Sequence, residues 1–168
     1  PHMKLAKTRL RPAPRDLDLN IHVDTAETGI PSPSQFVRWV SAALLGAPRH
    51  VQIGLQVLDN EAAQALNREY RGKDYPTNVL SFALSEGETL ANLPLFGDIV
   101  FAAPIVAAEA QGQGKTLMAH YAHLTIHGVL HLRGFDHEDE ADASKMEALE
   151  TTLLAKLGYA DPYAQDAC

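Results

Sequence analysis

The stretch from residue 116 to residue 137 decides the fold prediction, and it reads TLMAHYAHLTIHGVLHLRGFDH. We predict one long helix over residues 116–133, which Gly134 ends. His127 and His131 are four residues apart on this helix, so both imidazoles project from one face, about 6 Å apart along the axis. This face of the helix therefore presents a pair of side chains that can bind one divalent ion.

A third histidine, His137, follows three residues after Gly134, a residue that lets the backbone leave the helix and turn back. Three neutral imidazoles suit zinc, and nickel or copper less selectively. Three protein ligands leave the fourth position of a tetrahedral zinc ion to water, and bound zinc makes hydroxide available near neutral pH. The pattern predicts a catalytic zinc site on His127, His131 and His137, with one ion per chain.

Outside this stretch, the chain alternates between strand-like and helix-like patterns. In the first strand, apolar residues at positions 17, 19, 21 and 23 are separated by polar ones. The predicted strands cover residues 17–23, 51–57, 79–84 and 97–103, and the predicted helices begin after Ser34, cover 61–70, begin at Pro104, and cover 116–133 and 138–157. This order predicts an α+β fold, a small sheet of about four strands with helices packed on it.

Three local expectations go with this assignment. We expect the strand over residues 79–84 to be central, because it is apolar on both faces except at Ser81. We expect Ala62, Ala65 and Leu66 to form the buried side of the second helix. We read residues 111–115, which contain two glycines, as a loop.

Length and composition favour one globular domain. The chain has 168 residues, of which 46% are apolar, and we assign residues 4–168 to a single domain, taking residues 1–3 as a tag remnant. No apolar stretch approaches the roughly 18–20 residues of a membrane span, and no signal peptide opens the chain. The one cysteine, Cys168, closes no internal disulfide. We therefore expect a cytoplasmic protein without a membrane partner.

The net charge of −7 excludes nucleic-acid binding through bulk charge, so a polyanion must use a local patch. Residues 1–15 carry five basic residues and no acidic one, a local charge of +5. Residues 138–150 carry six acidic residues against one lysine, a local charge of −5. We read the first run as a solvated tail and the second as the solvated face of a helix.

The three histidines have the ligand spacing of the zinc metalloprotease motif H-E-x-x-H-x-x-G-x-x-H, but Gly128 stands where that motif has its general base. A phosphodiester makes a different demand, because a metal and a guanidinium can stabilise charge on its oxygens. Arg71 and Lys73, in the stretch YRGKD, are candidates for that role, although the same stretch taken alone is an ordinary solvated turn.

Three blocks of the sequence carry a family resemblance. Residues 127–137 read HGVLHLRGFDH, residues 66–82 read LNREYRGKDYPTNVLSF, and residues 97–99 read GDI. The first block is similar to the motif H-G-x-L-H-L-x-G-x-D-H, and together the blocks resemble those of the bacterial YbeY endoribonucleases. The fold of that family, a small sheet with helices packed on it, agrees with the element order predicted above.

The resemblance implies a metal-dependent endoribonuclease specific for single strands, which acts in the maturation of the 16S ribosomal RNA 3′ end and in ribosome quality control. It implies zinc on His127, His131 and His137. It also implies that Arg71 and His127 are the catalytic residues. It also implies the ribosomal small subunit as a partner, with a ribosomal protein or a GTPase as a further candidate. Arg68, Arg71 and Lys73 are the candidate RNA-binding residues.

Several roles stay open at this stage. His123 and Asp136 are candidates for hydrogen bonds that orient the metal-binding histidines. The alternative for His123, and for His120, is packing in the core. The alternative for Asp136 is to cap the next helix. Asp98 either faces the cleft or packs at a strand end. Two other functions compete with the nuclease: a zinc-dependent protease-like hydrolase, and a non-enzymatic ribosome-assembly factor with a structural metal.

Overall fold

A computed structural model describes residues 16–47, 50–75, 77–83, 94–135 and 139–164 of the chain. The described residues form four strands and five helices in the predicted order, which confirms the α+β class. The strands are β1 (Asp16–Asp24), β2 (His50–Leu58), β3 (Val79–Ala83) and β4 (Leu95–Ala102), and the helices are α1 (Pro33–Ala43), α2 (Asn60–Arg71), α3 (Ala103–Gly112), α4 (Leu117–Leu132) and α5 (Glu140–Lys156).

The four strands form one mixed sheet in the order β1-β2-β4-β3. β1, β2 and β4 are parallel, with Asn20 beside Gly54 and Gly54 beside Asp98, while β3 pairs with β4 in the antiparallel direction. The expectation that residues 79–84 form a central strand is wrong, because β3 lies at the edge of the sheet; residue 84 is outside the described residues. Its apolar character arises because helices cover both of its faces.

The core lies between one face of the sheet and the helices α1, α4 and α5. Alternate residues of β2 and β4 point into it, as period-two burial requires. Helix α4 crosses the middle of this layer, and an aromatic group formed by Phe36, Phe101 and Tyr121 joins α1 and β4 to it, with ring centroids 5.3–6.1 Å apart. The site-bearing helix is thus the best-buried helix of the molecule's described part.

The opposite face of the sheet is covered only in part, by α2. Ala63 and Leu66 of α2 pack against Leu80 and Val100 of the strands. The expected buried side of this helix is therefore partly wrong, since Ala62 and Ala65 are exposed. Residues 63, 66 and 67 lie against the sheet instead, because packing on the strands sets the rotation of the helix about its axis. Among the described residues, no helix packs on this face along β1, β2 and the start of β4.

Helix boundaries follow capping chemistry that composition alone obscures. Ser32, rather than Ser34, caps α1: its side chain accepts a hydrogen bond from Gln35 N, and the Gln35 side chain accepts one from Ser32 N. Pro33 then occupies the first position, where its missing N–H costs nothing. Helix α3 continues to Gly112, so the predicted loop over residues 111–115 begins two residues later than expected.

Close packing of α4 on the sheet generates a stability prediction. A Cβ at Gly97 would lie 2.6 Å from Leu132 Cδ2 and 2.9 Å from the backbone oxygen of Phe82, whereas a Cβ at Gly112 would meet nothing within 4 Å. We expect Gly97→Ala to lower the free energy of unfolding by about 1–3 kcal/mol. Gly112→Ala, the matched control within a helix, should raise it by about 0.5–1 kcal/mol. Urea unfolding followed by circular dichroism measures both, and equal stability of Gly97→Ala and the wild type would contradict the packing argument.

Candidate metal centre and nuclease site

Helix α4 carries the two described histidines of the predicted metal site. Between residues 120 and 130 only His123 and His127 are partly exposed, and His131 continues the same strip one turn later. The rings of His127 and His131 have centroids 4.6 Å apart and planes at 84°. The four-residue spacing therefore brings both imidazoles to one place, as predicted.

The helix ends where the sequence indicates. Arg133 is its C-cap, and Gly134 adopts a left-handed φ of 96°, which turns the chain away from the helix axis. His137 and Asp136 lie outside the described residues. Within the described ranges, no group of three or more histidine, cysteine or acidic side chains could hold a metal ion. Two of the three predicted ligands are thus placed, and the role of His137 stays a prediction.

A buried carboxylate contacts His127, the first histidine of the pair. Glu150, on α5, has an oxygen 2.6 Å from Nδ1 of His127, and its other oxygen is 2.8 Å from Nε2 of His123. Its side chain is 0% exposed. Burial alone would raise the pKa of this carboxyl, but hydrogen bonds from His123, His127 and Tyr163 and the charge of His127 lower it to about 2. Glu150 is therefore an ionised carboxylate enclosed by hydrogen-bond donors.

Glu150 is not among the predicted site residues, because residues 138–150 are predicted to form a solvated helix face. That reading is wrong for this residue, although Glu140 and Glu147 of the same run are exposed. A signal was available: Glu150 lies four residues after Met146 and three before Leu153, on the apolar stripe of α5, and both of those residues are buried. A carboxylate on an apolar stripe indicates a partner in the interior.

Two further side chains complete this group. The hydroxyl of Tyr163 donates a hydrogen bond to Glu150 and lies 3.1 Å from Nε2 of His123. Burial and the neighbouring carboxylate of Glu150 raise the pKa of Tyr163, so its hydroxyl keeps its proton. His123 thus shares the carboxylate that contacts His127, which is the arrangement expected of a supporting residue.

His120 belongs to a different group of contacts. Its Nε2 lies 2.8 Å from Glu109 of α3, and Glu109 also accepts a hydrogen bond from Asn78, just before β3. The His120 side chain is 3% exposed, and burial lowers its pKa below the ordinary value. These contacts join α3, α4 and the start of β3, away from the histidine pair.

Arg71 reaches the strand next to the histidine helix. Its Nη2 donates to the backbone oxygen of Ser81 at 2.6 Å, and its guanidinium lies over the Phe82 ring, 5.5 Å from the centroid. The hydroxyl of Ser81 in turn donates to the backbone oxygen of Gly128 at 3.2 Å. One strand residue therefore links the predicted catalytic arginine to the residue that follows His127.

The other two candidate RNA-binding residues lie around the turn that follows α2. Arg68 pairs with Asp74 at 2.9 Å, and hydrogen bonds from Gln64 and Arg68 lower the pKa of Asp74. Lys73 is exposed, and its backbone N–H donates to the Asn67 carbonyl. Contacts of the Gln64 and Arg68 side chains with Asp74 hold this turn against α2, while the Lys73 side chain is exposed.

Gly128 explains why the protease base is missing. A Cβ there would lie 3.1 Å from Ser81 Oγ and 3.3 Å from Ile99 Cδ1. Residue 128 therefore faces the strands β3 and β4 instead of the side where His127 and His131 project. A side chain at this position would start against Ser81 and Ile99, which would have to shift, and not on the partly exposed strip of His127 and His131.

Asp98 lies on the open face of the sheet. With Asn20, Gln52 and Gly54 it lines a pocket of about 190 Å³, and burial raises the pKa of its carboxyl. Phe82, which pairs with Asp98 in the sheet, lies under the guanidinium of Arg71.

The N-cap of α5 is Asp139, which accepts a hydrogen bond from Asp142 N. The alternative role predicted for Asp136, capping this helix, therefore belongs to Asp139.

No helix among the described segments combines the length and apolar character needed to cross a membrane. A solution structure of a protein from Thermotoga maritima shares the fold, with a TM-score of 0.50 and 22% identity, covering 88% of this chain and 99% of that one.

Several curated proteins are similar in sequence to this chain over most of its length. A protein of Laribacter hongkongensis named Endoribonuclease YbeY is 67% identical over 163 residues, which is 96% of this chain and 98% of that protein. Proteins with the same name from Chromobacterium violaceum and Stenotrophomonas maltophilia are 51% and 53% identical, over 89% and 90% of this chain and 89% and 96% of theirs. The family model described as Endoribonuclease YbeY matches residues 22–158. The chain therefore belongs to the YbeY endoribonuclease family.

Proposed function

We propose that this protein is a zinc-dependent endoribonuclease that cleaves single-stranded RNA and acts in the cytoplasm, in 16S ribosomal RNA 3′-end maturation and ribosome quality control. Membership of an endoribonuclease family supports the RNA substrate and the hydrolase class. The observation that carries the metal is the histidine pair of α4, with ring centroids 4.6 Å apart and a buried carboxylate against His127. Its partners on this proposal are ribosomal RNA and the small subunit, with a ribosomal protein or a GTPase as a further candidate.

The donor set of this site fits zinc. Imidazole nitrogens are ligands that zinc prefers, and a histidine that binds zinc commonly donates its other N–H to a carboxylate. His127 contacts Glu150 through Nδ1, so Nε2 is the nitrogen that would bind the metal, with His131 and His137 as the other ligands. When bound, zinc would supply Lewis-acid chemistry, lowering the pKa of a water molecule and stabilising charge on phosphate oxygens.

Arg71 supplies the second positive group in this proposal. A guanidinium can hold two phosphate oxygens at once, and the hydrogen bond to Ser81 fixes its position at the strand beside α4. Arg68 and Lys73 extend the basic surface by which an RNA strand would reach the site despite the net charge of −7. The protease alternative is disfavoured, because residue 128 is a glycine and a side chain there would start against Ser81 and Ile99.

Zinc content is the first prediction. Elemental analysis of the purified protein should find about one zinc per chain, as a three-ligand site requires. His127→Ala and His131→Ala should lose most of it and remain folded by circular dichroism, because their neighbours on α4 are held by the apolar core. His50→Ala is the control, since His50 pairs with Asp16 at the exposed start of β2. If His127→Ala unfolds the protein, the metal is structural and the assembly-factor alternative is favoured.

The second prediction concerns Arg71→Ala. We expect an intact fold, unchanged zinc content and RNA cleavage reduced about 100-fold, the usual effect of removing one donor that stabilises transition-state charge. Arg38→Ala is the matched control, because Arg38 is exposed on α1, which packs on the other face of the sheet from α2. Single-turnover cleavage of a fluorescent RNA oligonucleotide measures both variants, prepared in parallel. Unchanged cleavage by Arg71→Ala would remove this residue from the mechanism.

The third prediction separates nuclease from protease. Single-stranded RNA should be cut, cutting should stop with a chelator and return with zinc, and a fluorescent peptide library should stay intact. The physical reason is that the site has a candidate phosphate-binding arginine but no carboxylate at residue 128. Chelator-sensitive peptide cleavage with RNA left intact would contradict the proposal.

A further inference from the structure

We propose that Glu150 is the positioning residue of the metal centre, and that Tyr163 makes the C-terminal segment part of it. Glu150 would orient His127 and select which ring nitrogen faces the metal. This inference rests on the proposed role of His127 as a ligand. It concerns a residue of α5 and one that follows the residues matched by the family model, which end at 158.

The contact between Glu150 and His127 defines the orientation. The carboxylate can only accept, so His127 donates from Nδ1 across 2.6 Å, and its lone pair is then on Nε2. Because the two residues lie on different helices, this contact also sets the rotation of the ring about its own side-chain bonds. A histidine without such a contact would share its proton between the two nitrogens.

The second oxygen of Glu150 is held as firmly as the first. It lies 2.8 Å from Nε2 of His123 and accepts from the hydroxyl of Tyr163. Nδ1 of His123 is buried and has no hydrogen-bond partner among the described residues, as suits a ring whose proton is on Nε2. With both oxygens engaged, the carboxylate has one orientation, and it transmits that orientation to His127.

The charge of Glu150 supplies the reason for a glutamate at this position. A fully buried carboxylate is costly, and its ion-pair partners among the described residues are two histidines. Three donors hold its oxygens, from His123, His127 and Tyr163, and a carboxylate that accepts from a ligand histidine makes that histidine a stronger base toward a metal. Glu150 would therefore strengthen zinc binding through His127, whereas a residue with a purely structural role would leave the zinc affinity and the position of the His127 proton unchanged.

The test measures zinc affinity with a chromophoric chelator as competitor, starting from zinc-free protein. We expect Glu150→Gln to weaken zinc binding about 10–100-fold, the usual effect of losing a carboxylate behind a ligand histidine. The melting temperature of the zinc-free form is measured alongside, to show that the variant is folded. Glu147→Gln, one turn away and exposed on the same helix, removes the same charge and should change neither quantity.

Tyr163→Phe is the milder variant and keeps the proposal testable if Glu150→Gln does not fold. It removes only the hydroxyl that donates to Glu150, and we expect a loss of zinc affinity of less than about 10-fold but outside error. Nitrogen-15 NMR of the zinc-free protein gives an independent readout. The proton of His127 should be on Nδ1 in the wild type and shared between both nitrogens in Glu150→Gln.

The outcomes are distinguishable from those of the proposed function. Wild-type zinc affinity retained in both Glu150→Gln and Tyr163→Phe would overturn the positioning role, and so would a His127 proton on Nε2 in the wild type. A wild type that binds zinc with the expected dependence on Glu150, but leaves RNA intact, would support the positioning role and overturn the nuclease. A His127 proton that stays on Nδ1 in Glu150→Gln would show that Glu150 does not orient the ring, and it would overturn the proposal.

Discussion

The close packing of α4 on the sheet is the constraint on which the rest of the structure depends. A Cβ at Gly128 would lie 3.1 Å from Ser81 Oγ and 3.3 Å from Ile99 Cδ1, and one at Gly97 would lie 2.6 Å from Leu132 Cδ2, so an added carbon atom at either glycine would require its neighbours to shift. This approach determines the rotation of α4 about its axis. It buries the helix on nearly all sides and leaves one partly exposed strip, which carries His123, His127 and His131. The site exists because the glycines let backbone and strand come together.

The same contact occupies the helix position that directly follows His127. The position that holds the general base in zinc metalloproteases is used here for packing, and the Ser81 hydroxyl is hydrogen-bonded to the backbone of that residue. Through its own backbone oxygen, Ser81 also holds Arg71. Ser81 thus contacts both Gly128 of the histidine helix and the guanidinium of Arg71, and β3 is the strand that joins these two predicted parts of the site.

Much of the fold could be predicted from local patterns. The alternation in β1 and β2, the long α4 and the apolar spacing of α5 identified elements of the right type, in the right order. The errors concern what surrounds an element. β3 is apolar on both faces because α2 and α4 cover it, so its composition could not reveal that it lies at the sheet edge. The one-residue shift of the buried face of α2 depends on how the helix packs against Leu80 and Val100, which no local pattern specifies.

In the candidate site, the proximity of the His127 and His131 side chains follows from the sequence alone, because residues four apart on a helix are neighbours on its surface. The sequence also indicated Gly134 as the residue where the chain turns away. The residues that contact this helix around the pair are set by tertiary packing. Glu150 contacts His127 across 23 residues of chain, and Ser81 contacts Gly128 across 47. Such contacts depend on how helices and strands pack together, and no local periodicity specifies that packing.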